Sequence, residues 1–419
     1  MLYIVGELII TNTHRIIRRK YYKKTPSCRA VVLRALTMLS ILRAVGSRFL
    51  HSTILFCVCA LCALHASASD WISDYANYVK KEAIKHNVPG YAFVYYEQGK
   101  VPKVFVYGKT HKNGSPITEH TVFRLASVSK TFTGLLAAKM VEQERLRWDT
   151  PIATLLPDIP FTGEGVDELQ LQHIIGQSSG FMRNAYDNLI EADYSLERVL
   201  TELGKLDPIC TPGDCYTYQN ALFGAIEYYL SNQNTSYHSE LHTQLFSPLG
   251  MSTASTGRAS LQGSESWARP HIAITRDRWR EGKVENNYYR FAPAAGINAS
   301  ITDMTIYLQA LLGEFPTVIS SDMINTVTTP RVKTVRERNR RGWRGFLDDA
   351  HYGLGWRIYD VDGHRINYHG GWVKGYRVDV AFAPDFKTGY VMLTNAETNM
   401  INTTTAEFWK RYFEQVETD

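Results

Sequence analysis

The segment Phe123-Arg124-Leu125-Ala126-Ser127-Val128-Ser129-Lys130-Thr131-Phe132-Thr133-Gly134 carries the strongest signal in the chain. Apolar residues continue at helical spacing as far as Met140, so the sequence predicts a helix that begins near Ser127. Ser127 and Lys130 are three residues apart, which places both on one helix face within side-chain reach. A serine hydroxyl becomes a good nucleophile when a nearby base takes its proton, and a desolvated lysine can be that base. An ordinary amphipathic helix would also explain the pattern.

The run from Leu125 to Gly134 resembles the active-site segment of class C β-lactamases and related penicillin-recognising serine hydrolases, in which a Ser-x-x-Lys element carries the nucleophile. The resemblance covers nearly the whole chain after its first 68 residues. It implies a β-lactamase/transpeptidase-like α+β fold, in which both termini complete an antiparallel sheet that is flanked by helices and interrupted by an inserted all-α domain.

The function implied by this resemblance is hydrolysis of β-lactam, D-Ala-type peptide or ester bonds through an acyl-enzyme on Ser127. The alternative is a non-catalytic relative that serves as a penicillin-binding module or scaffold. The substrate would be a small molecule or a peptide. The sequence indicates no cofactor and does not indicate the oligomeric state.

The N-terminal 68 residues differ in composition from the rest. The first 69 residues contain one acidic residue, Glu7, against ten Lys and Arg. An apolar run, Phe49 to Leu64, precedes the small-residue pattern Ala66-Ser67-Ala68. These features predict a targeting segment over residues 1–68 and a secreted or periplasmic protein. An uncleaved membrane anchor, with the membrane association that it would bring, and an organelle transit peptide remain alternatives. Because the basic excess lies in this segment, it indicates no nucleic-acid partner.

The remaining residues, 69–419, are predicted to form one hydrolase domain. Its α/β part comprises residues of about 69–135 and 291–419, and its helical part residues of about 136–290. Alternating apolar residues indicate strands at both ends of this domain. The strand-like runs are Tyr91–Tyr96, Val104–Tyr107, Tyr376–Phe382 and Gly389–Thr394.

The second element of the family pattern, Tyr-x-Asn, occurs three times. The copies are Tyr75-Ala76-Asn77, Tyr186-Asp187-Asn188 and Tyr218-Gln219-Asn220. The third copy follows a Pro-Gly pair and precedes a helical run, a context that resembles class C enzymes. We therefore assign Tyr218 as the proton acceptor and donor beside Lys130. Asn220 would hold Lys130 and the substrate amide.

The third element, usually Lys-Thr-Gly, corresponds by order and context to His369-Gly370-Gly371. A literal Lys387-Thr388-Gly389 is present, but it lies in a predicted hairpin turn and is interpreted as a decoy. Glycines in a strand allow a substrate backbone to approach closely. By analogy, the N–H groups of Ser127 and Trp372 would form the oxyanion hole.

His369 stands where β-lactamases of this group carry lysine. An unperturbed histidine has a pKa of about 6.5, so it would be mostly neutral at about pH 7.5 and charged near about pH 5.5. We therefore expect weak β-lactam hydrolysis beside easier turnover of uncharged esters or certain peptides. For carboxylate-bearing substrates, efficiency should rise as the pH falls towards about 6.

Two further features of the sequence concern cysteines and arginines. Only Cys210 and Cys215 lie outside the targeting segment, and the pair suggests a disulfide, with two free thiols as the alternative. Residues 331–344 contain six Arg and one Lys against one Glu. A solvated loop explains this stretch, and a surface for anionic substrates or membranes is the alternative.

The smaller motifs are interpreted as structural. His238 and His242 have zinc-compatible spacing, but no third ligand accompanies them, so no metal site is predicted. Gln177-Ser178-Ser179-Gly180 is expected to form a helix-end turn. Thr302 or Asp303 is expected to cap a helix.

Overall fold

An eight-stranded antiparallel sheet forms the centre of the structure, a computed structural model that describes residues 71–417. The strands of these residues are, in chain order, β1 Gly90–Glu97, β2 Lys103–Gly108, β3 Phe123–Arg124, β4 Ser255–Thr256, β5 His271–Thr275, β6 Arg278–Glu281, β7 Ile297–Ala299, β8 Val332–Lys333, β9 Asp349–Tyr352, β10 Arg357–Val361, β11 His364–Val373, β12 Tyr376–Ala383 and β13 Thr388–Thr394. The order in the large sheet is β2-β1-β13-β12-β11-β10-β9-β8.

The register explains how the two ends of the domain meet. β1, near its start, pairs with β13, near its end, with Tyr91 opposite Thr394 and Glu97 opposite Thr388. The predicted α+β fold with a sheet completed by both termini is therefore confirmed. All but the first four described residues belong to one compact unit, Tyr75–Asp419; the other, Met1–Asp74, contributes residues 71–74. The predicted targeting segment lies outside the described residues.

Helices cover both faces of the sheet. The helices of the described residues are, in chain order, α1 Trp71–Lys85, α2 Ser129–Glu142, α3 Ile152–Leu155, α4 Leu171–Ile175, α5 Asp187–Glu191, α6 Leu196–Leu203, α7 Gly224–Asn232, α8 Tyr237–Leu241, α9 Ser247–Leu249, α10 Arg258–Gly263, α11 Ala292–Ala295, α12 Ile301–Leu311, α13 Ser321–Thr328 and α14 Met400–Val416. On β13, the Tyr390 ring packs against Tyr75 of α1 and Phe408 of α14. Its neighbour Gly389 lies against Leu308 of α12. Adjacent strand residues therefore face opposite helical layers, as the period of two requires.

The middle of the domain is mainly helical, as predicted, but it also contains strands. β5 and β6 form a separate hairpin, and β4 joins β3 and β7 in a three-stranded sheet. Because β3 ends immediately before the Ser127 turn and pairs with β7, with Phe123 opposite Ala299, this small sheet anchors that turn. No helix within residues 71–417 is long and apolar enough to cross a membrane.

Candidate active site

Ser127 lies in a tight turn that leads into α2. The residues Ala126–Val128 form one turn of 3-10 helix, and α2 follows at Ser129. Ala126 has a φ of 50°, a left-handed conformation that non-glycine residues adopt only at a cost. The flanking bonds hold it there: Leu125 N donates to the Ile297 carbonyl at 2.8 Å, and Ile297 N donates to Ser129 Oγ at 3.0 Å.

Lys130, in the first turn of α2, is completely buried next to Ser127. Its Nζ lies 3.5 Å from Ser127 Oγ and donates to Asn220 Oδ1 at 2.7 Å and to the Ala294 carbonyl at 2.9 Å. Burial lowers the pKa of Lys130, and the opposing interactions with Tyr218 reverse this only in part. The structure therefore brings an unusually acidic ammonium group to the candidate nucleophile.

Tyr218 completes this cluster. Lys130 Nζ lies 4.8 Å from the centre of its ring, and the Ser127 hydroxyl and the Lys130 ammonium both interact with its phenol oxygen. Burial alone would raise the pKa of Tyr218, but the cations Lys130 and Arg357 outweigh burial and lower it below 10. A phenolate is therefore easier to form here than in water.

The loop that carries Tyr218 and Asn220 is clamped from one side. Gln177 Nε2 donates to the Gln219 carbonyl at 3.0 Å, and its Oε1 accepts from Gln219 N. A disulfide joins Cys210 to Cys215, with a Cα–Cα distance of 6.4 Å, in the approach to the same loop. The turn at residues 177–180, expected to be a helix end, thus positions the peptide between the two candidate site residues.

The other Tyr-x-Asn copies have different positions. Tyr75 is buried under the sheet, where its hydroxyl meets that of Tyr390 at 2.8 Å. Within residues 71–417, the Tyr186 hydroxyl makes no hydrogen bond to Ser127 or Lys130. Its neighbour Asp187, however, accepts a 2.9 Å hydrogen bond from Asn220 Nδ2. No role was predicted for the Asp187 carboxylate, although Asp187 is the middle residue of the second Tyr-x-Asn tripeptide.

His369 is fully buried, and its predicted titration near pH 6 is wrong. Its Nδ1 faces the Gly370 carbonyl at 3.0 Å, and its Nε2 faces Arg357 Nη1 at 3.2 Å. A carbonyl only accepts and a guanidinium only donates, so the contacts assign a neutral imidazole that carries its proton on Nδ1. Burial, followed by the charges of Arg357 and Lys130, lowers the pKa of His369 well below 6.5. Histidine protonation therefore cannot attract a carboxylate near pH 6.

Arg357 of β10 places a permanent positive charge next to His369. No role was predicted for this arginine from the sequence. Its guanidinium carbon lies 5.5 Å from the centre of the Tyr218 ring. Glu337 Oε1 lies 3.4 Å from its Nε, and Glu337 also pairs with Arg340 at 3.3 Å. Burial would raise the pKa of Glu337, but the two arginines lower it to about 2.

These contacts correct the interpretation of residues 331–344 as only a solvated loop. Glu337 and Arg340 of this stretch are largely buried against the sheet, where Arg340 lies 5.0 Å from the centre of the Tyr368 ring. Arg336, Arg338, Arg341 and Arg344 are exposed.

Gly370 and Gly371 lie where β11 passes the Ser127 turn. A Cβ atom at Gly371 would collide with the Leu125 carbonyl oxygen and lie 3.2 Å from Ser127 N. β10 pairs with β11 only as far as Tyr368, whereas β12 pairs with β11 through Val373. Among residues 71–417, no strand therefore pairs with the second half of β11 on the side of β10.

Trp372 belongs to this half of β11, and its side chain is 61% exposed. The Arg377 guanidinium lies over its ring at 4.6 Å. By strand alternation, this ring and Gly371 point to opposite faces of β11. A contribution of Trp372 to the site would therefore come from its backbone.

The remaining motifs lie elsewhere. The Lys-Thr-Gly tripeptide begins in the turn before β13, where Lys387 has a φ of 49°. Its Gly389 pairs with Phe382 near one end of β12, whereas Gly371 pairs with Val378 near the other end. The tripeptide is therefore remote from the Ser127 turn. Ser300 caps α12 in a reciprocal capping box with Asp303, so Asp303 is the capping partner that the sequence suggested. Residues 71–417 contain no group of three or more side chains suited to a metal.

Comparison with known proteins identifies the family. The profile of the Beta-lactamase family matches residues 74–409. The chain belongs to this family. It is 24% identical over 353 residues to a beta-lactamase of Yersinia enterocolitica, which covers 74% of this chain and 83% of that protein. The family assignment makes it a serine hydrolase of the β-lactamase and penicillin-binding group.

Two further proteins similar to this chain have other names. An unguisins hydrolase of Aspergillus campestris, ungD', is 22% identical over 339 residues, covering 78% of this chain and 61% of that protein. The solved structure of the octameric penicillin-binding protein homologue from Pyrococcus abyssi superposes with a TM-score of 0.68 at 19% identity, covering 78% of this chain and 74% of the other. At this identity the structural likeness supports the fold alone.

Proposed function

We propose that the protein is an exported serine hydrolase that forms an acyl-enzyme on Ser127 and transfers the acyl group to water. The observation that carries the proposal is the position of Lys130, buried between neutral oxygens, 3.5 Å from Ser127 Oγ and against the Tyr218 ring. The pKa values of Lys130 and Tyr218 are both lowered, which favours this pair as the group that accepts a proton from Ser127 and returns it.

The reaction follows from this pair. Ser127 Oγ attacks the substrate carbonyl carbon while its proton passes to the pair formed by Tyr218 and Lys130. The N–H groups of Ser127 and Trp372 would receive the oxyanion, a contribution of roughly a hundred- to a thousand-fold for each donor. The pair then returns the proton to the leaving group. A water molecule repeats the sequence on the acyl-enzyme and releases Ser127.

The substrate side of the proposal favours uncharged esters and amides over β-lactams. Lysine at position 369 would place a free cation at the cleft, whereas His369 is neutral and buried. Arg357 is only 7% exposed and is paired with Glu337, so little of its charge remains for a substrate carboxylate. The relatives include both a beta-lactamase and an unguisins hydrolase, so membership of the family leaves this choice open.

The decisive experiment is labelling with a fluorescent penicillin and with an uncharged activity-based ester, followed by mapping of the modified residue. We expect Ser127 to be modified, Ser127→Ala to abolish labelling, and the exposed Ser231→Ala to label as wild type does. Label on another residue would contradict the proposal. A stable acyl-enzyme with no turnover of any ester, peptide or β-lactam would favour the non-catalytic alternative.

Export is supported by the composition of residues 1–68 and by the Cys210–Cys215 disulfide, since such bonds persist in oxidising compartments. Fractionation of cells that express the full chain, with N-terminal sequencing of the mature protein, tests it. A cut near Ala68 in the exported fraction is expected. Full-length protein retained in the reducing cytosol would contradict this part of the proposal.

A further inference from the structure

A carboxylate that the reaction scheme does not use lies behind Asn220. Asp187 Oδ2 accepts from Asn220 Nδ2 at 2.9 Å, while Asn220 Oδ1 accepts from Lys130 Nζ at 2.7 Å. The three side chains therefore form a continuous chain from a carboxylate through an amide to the ammonium group beside Ser127. We propose that Asp187 is a positioning residue that acts through Asn220 to orient Lys130 and to supply the negative charge opposite its ammonium group.

The direction of these bonds gives Asp187 control over Asn220. The ammonium form of Lys130 can only donate, so it favours the amide oxygen, and the amide NH₂ then faces Asp187. A neutral Lys130, the form that accepts a proton, can also accept a hydrogen bond and leaves the orientation to Asp187. A flipped amide would place its NH₂ against the ammonium and its oxygen against the carboxylate. The ionised form of Asp187 excludes that orientation, because it can only accept hydrogen bonds. A protonated Asp187 is itself a donor and no longer distinguishes the two orientations.

Charges around Asp187 make this control dependent on pH. Burial raises the pKa of Asp187 to about 6, Asn220 and Lys130 oppose the rise, and Glu191 adds to it. The Tyr288 hydroxyl also interacts with Asp187 and favours its ionised form.

Two charged groups on the surrounding elements have partners of their own. On the turn that contains Tyr288, Arg290 pairs with Asp193 at 2.8 Å, and on α6, Arg198 pairs with Glu202 at 2.9 Å. Asp187 is therefore mostly ionised at about pH 7.5 and mostly protonated at about pH 5.

The proposal rests on the proposed function, because its readout is the reactivity of Ser127. The test measures the rate at which an uncharged fluorophosphonate ester labels Ser127 between pH 5 and pH 9. In the wild type, the rate should rise about 10-fold through pH 6 as Asp187 ionises. Asp187→Asn preserves the shape and an acceptor for Asn220 but not the charge. It should lower the rate at pH 7.5 by roughly 10-fold and remove the step near pH 6.

A double-mutant cycle separates positioning from a structural role. If Asp187 acts through Asn220, adding Asp187→Asn to Asn220→Ala should change the rate by less than about 2-fold, although each single change has a larger effect. Full additivity of the two effects would overturn the proposal. Glu191→Gln should move the step near pH 6 to lower pH, because Glu191 raises the pKa of Asp187.

The control is Asp158→Asn, which removes an exposed carboxylate elsewhere in the helical part. Its pH profile should match that of the wild type. If Ser127 is labelled but the Asp187→Asn profile equals that of the wild type, this inference fails alone. If the wild type is not labelled at Ser127 at all, the proposed function fails and the inference fails with it.

Discussion

Two buried cations, Lys130 and Arg357, face Tyr218 from different parts of the fold, and they differ in their partners. Lys130 has only neutral oxygens for its hydrogen bonds, among them the Asn220 amide. Arg357 has an anion, the Glu337 carboxylate, at 3.4 Å. Burial lowers the pKa of Lys130, whereas for Arg357 the attraction of Glu337 and neighbouring tyrosines exceeds the effect of burial, and its pKa is raised.

The different partners of the two cations explain how one cleft contains both a cation that can exchange its proton, Lys130, and a cation that stays charged, Arg357. A buried cation without a carboxylate in direct contact is costly, and it can relieve that cost by losing a proton. Lys130 is such a cation, because Asp187 reaches it only through the Asn220 amide. A cation with a buried carboxylate has no such reason to deprotonate. The geometry therefore suits Lys130 for proton transfer and Arg357 for stabilising the Tyr218 phenolate.

The largest effect is expected from Lys130→Arg, which replaces a cation that can lose its proton with one that stays charged. Arginine cannot be deprotonated in a protein, so proton transfer from Ser127 stops. We expect the labelling rate of Ser127 to fall by about 10,000-fold while the fold is retained. Lys139→Arg, on the same helix, is the matched control and should label normally. A loss smaller than about 10-fold would show that Lys130 is not part of the proton pathway.

Tyr218→Phe removes the anion that the two cations would stabilise but keeps the ring. The labelling rate should fall by roughly 1,000-fold because the phenol oxygen can no longer relay the proton. Tyr186→Phe makes the same chemical change in the other copy of the tripeptide and should have little effect. If the two substitutions gave similar losses, the assignment of Tyr218 over Tyr186 would be wrong.

Glu337→Gln tests the fixed charge by leaving Arg357 without its anion. Breaking a buried ion pair costs about 3 kcal/mol or more, so urea unfolding at pH 7 should show a loss of that size. In the wild type, the contribution of Glu337 is present above about pH 4.5 and is lost as the pH falls towards its folded pKa of about 2. In Glu337→Gln, the decrease in unfolding free energy between about pH 4.5 and about pH 2 should be smaller by this contribution. Asp349→Asn, which removes an exposed pair with Lys333, should cost less than about 1 kcal/mol.

The smallest effect is expected at His369, whose pKa is lowered by burial and then by the neighbouring charge of Arg357. Relative turnover of a carboxylate-bearing substrate and its uncharged analogue should not change by more than about 2-fold between pH 7.5 and pH 5.5, because the imidazole does not titrate there. Steady-state kinetics on the substrate pair measure this ratio. A steep rise towards pH 5.5 would show that the imidazole gains a proton within that interval.

Local alternation in the sequence sufficed for four strands of the large sheet, β1, β2, β12 and β13, but not for β8 to β11. Ser127 and Lys130 have a signal within a few residues, whereas Tyr218 was assigned through the family resemblance of its surroundings. The charges around them had no such signal. Arg357 and Asp187 reach the site through contacts between segments that are distant in the chain, so no local pattern predicted a role for either. The error at His369 has the same origin: its solution pKa was assumed, whereas burial beside a guanidinium decides it.

β11 can approach the Ser127 turn closely because Gly371 has no Cβ atom. A methyl group at position 371 would press on the Leu125 carbonyl oxygen and push β11 away from Ser127. The sheet pairing with β12 does not require that closeness, so a chain with alanine there could keep its fold while the cleft opened. The single substitution Gly371→Ala would then convert such an enzyme into a binding protein without catalytic activity, although every side chain of the three motifs would remain.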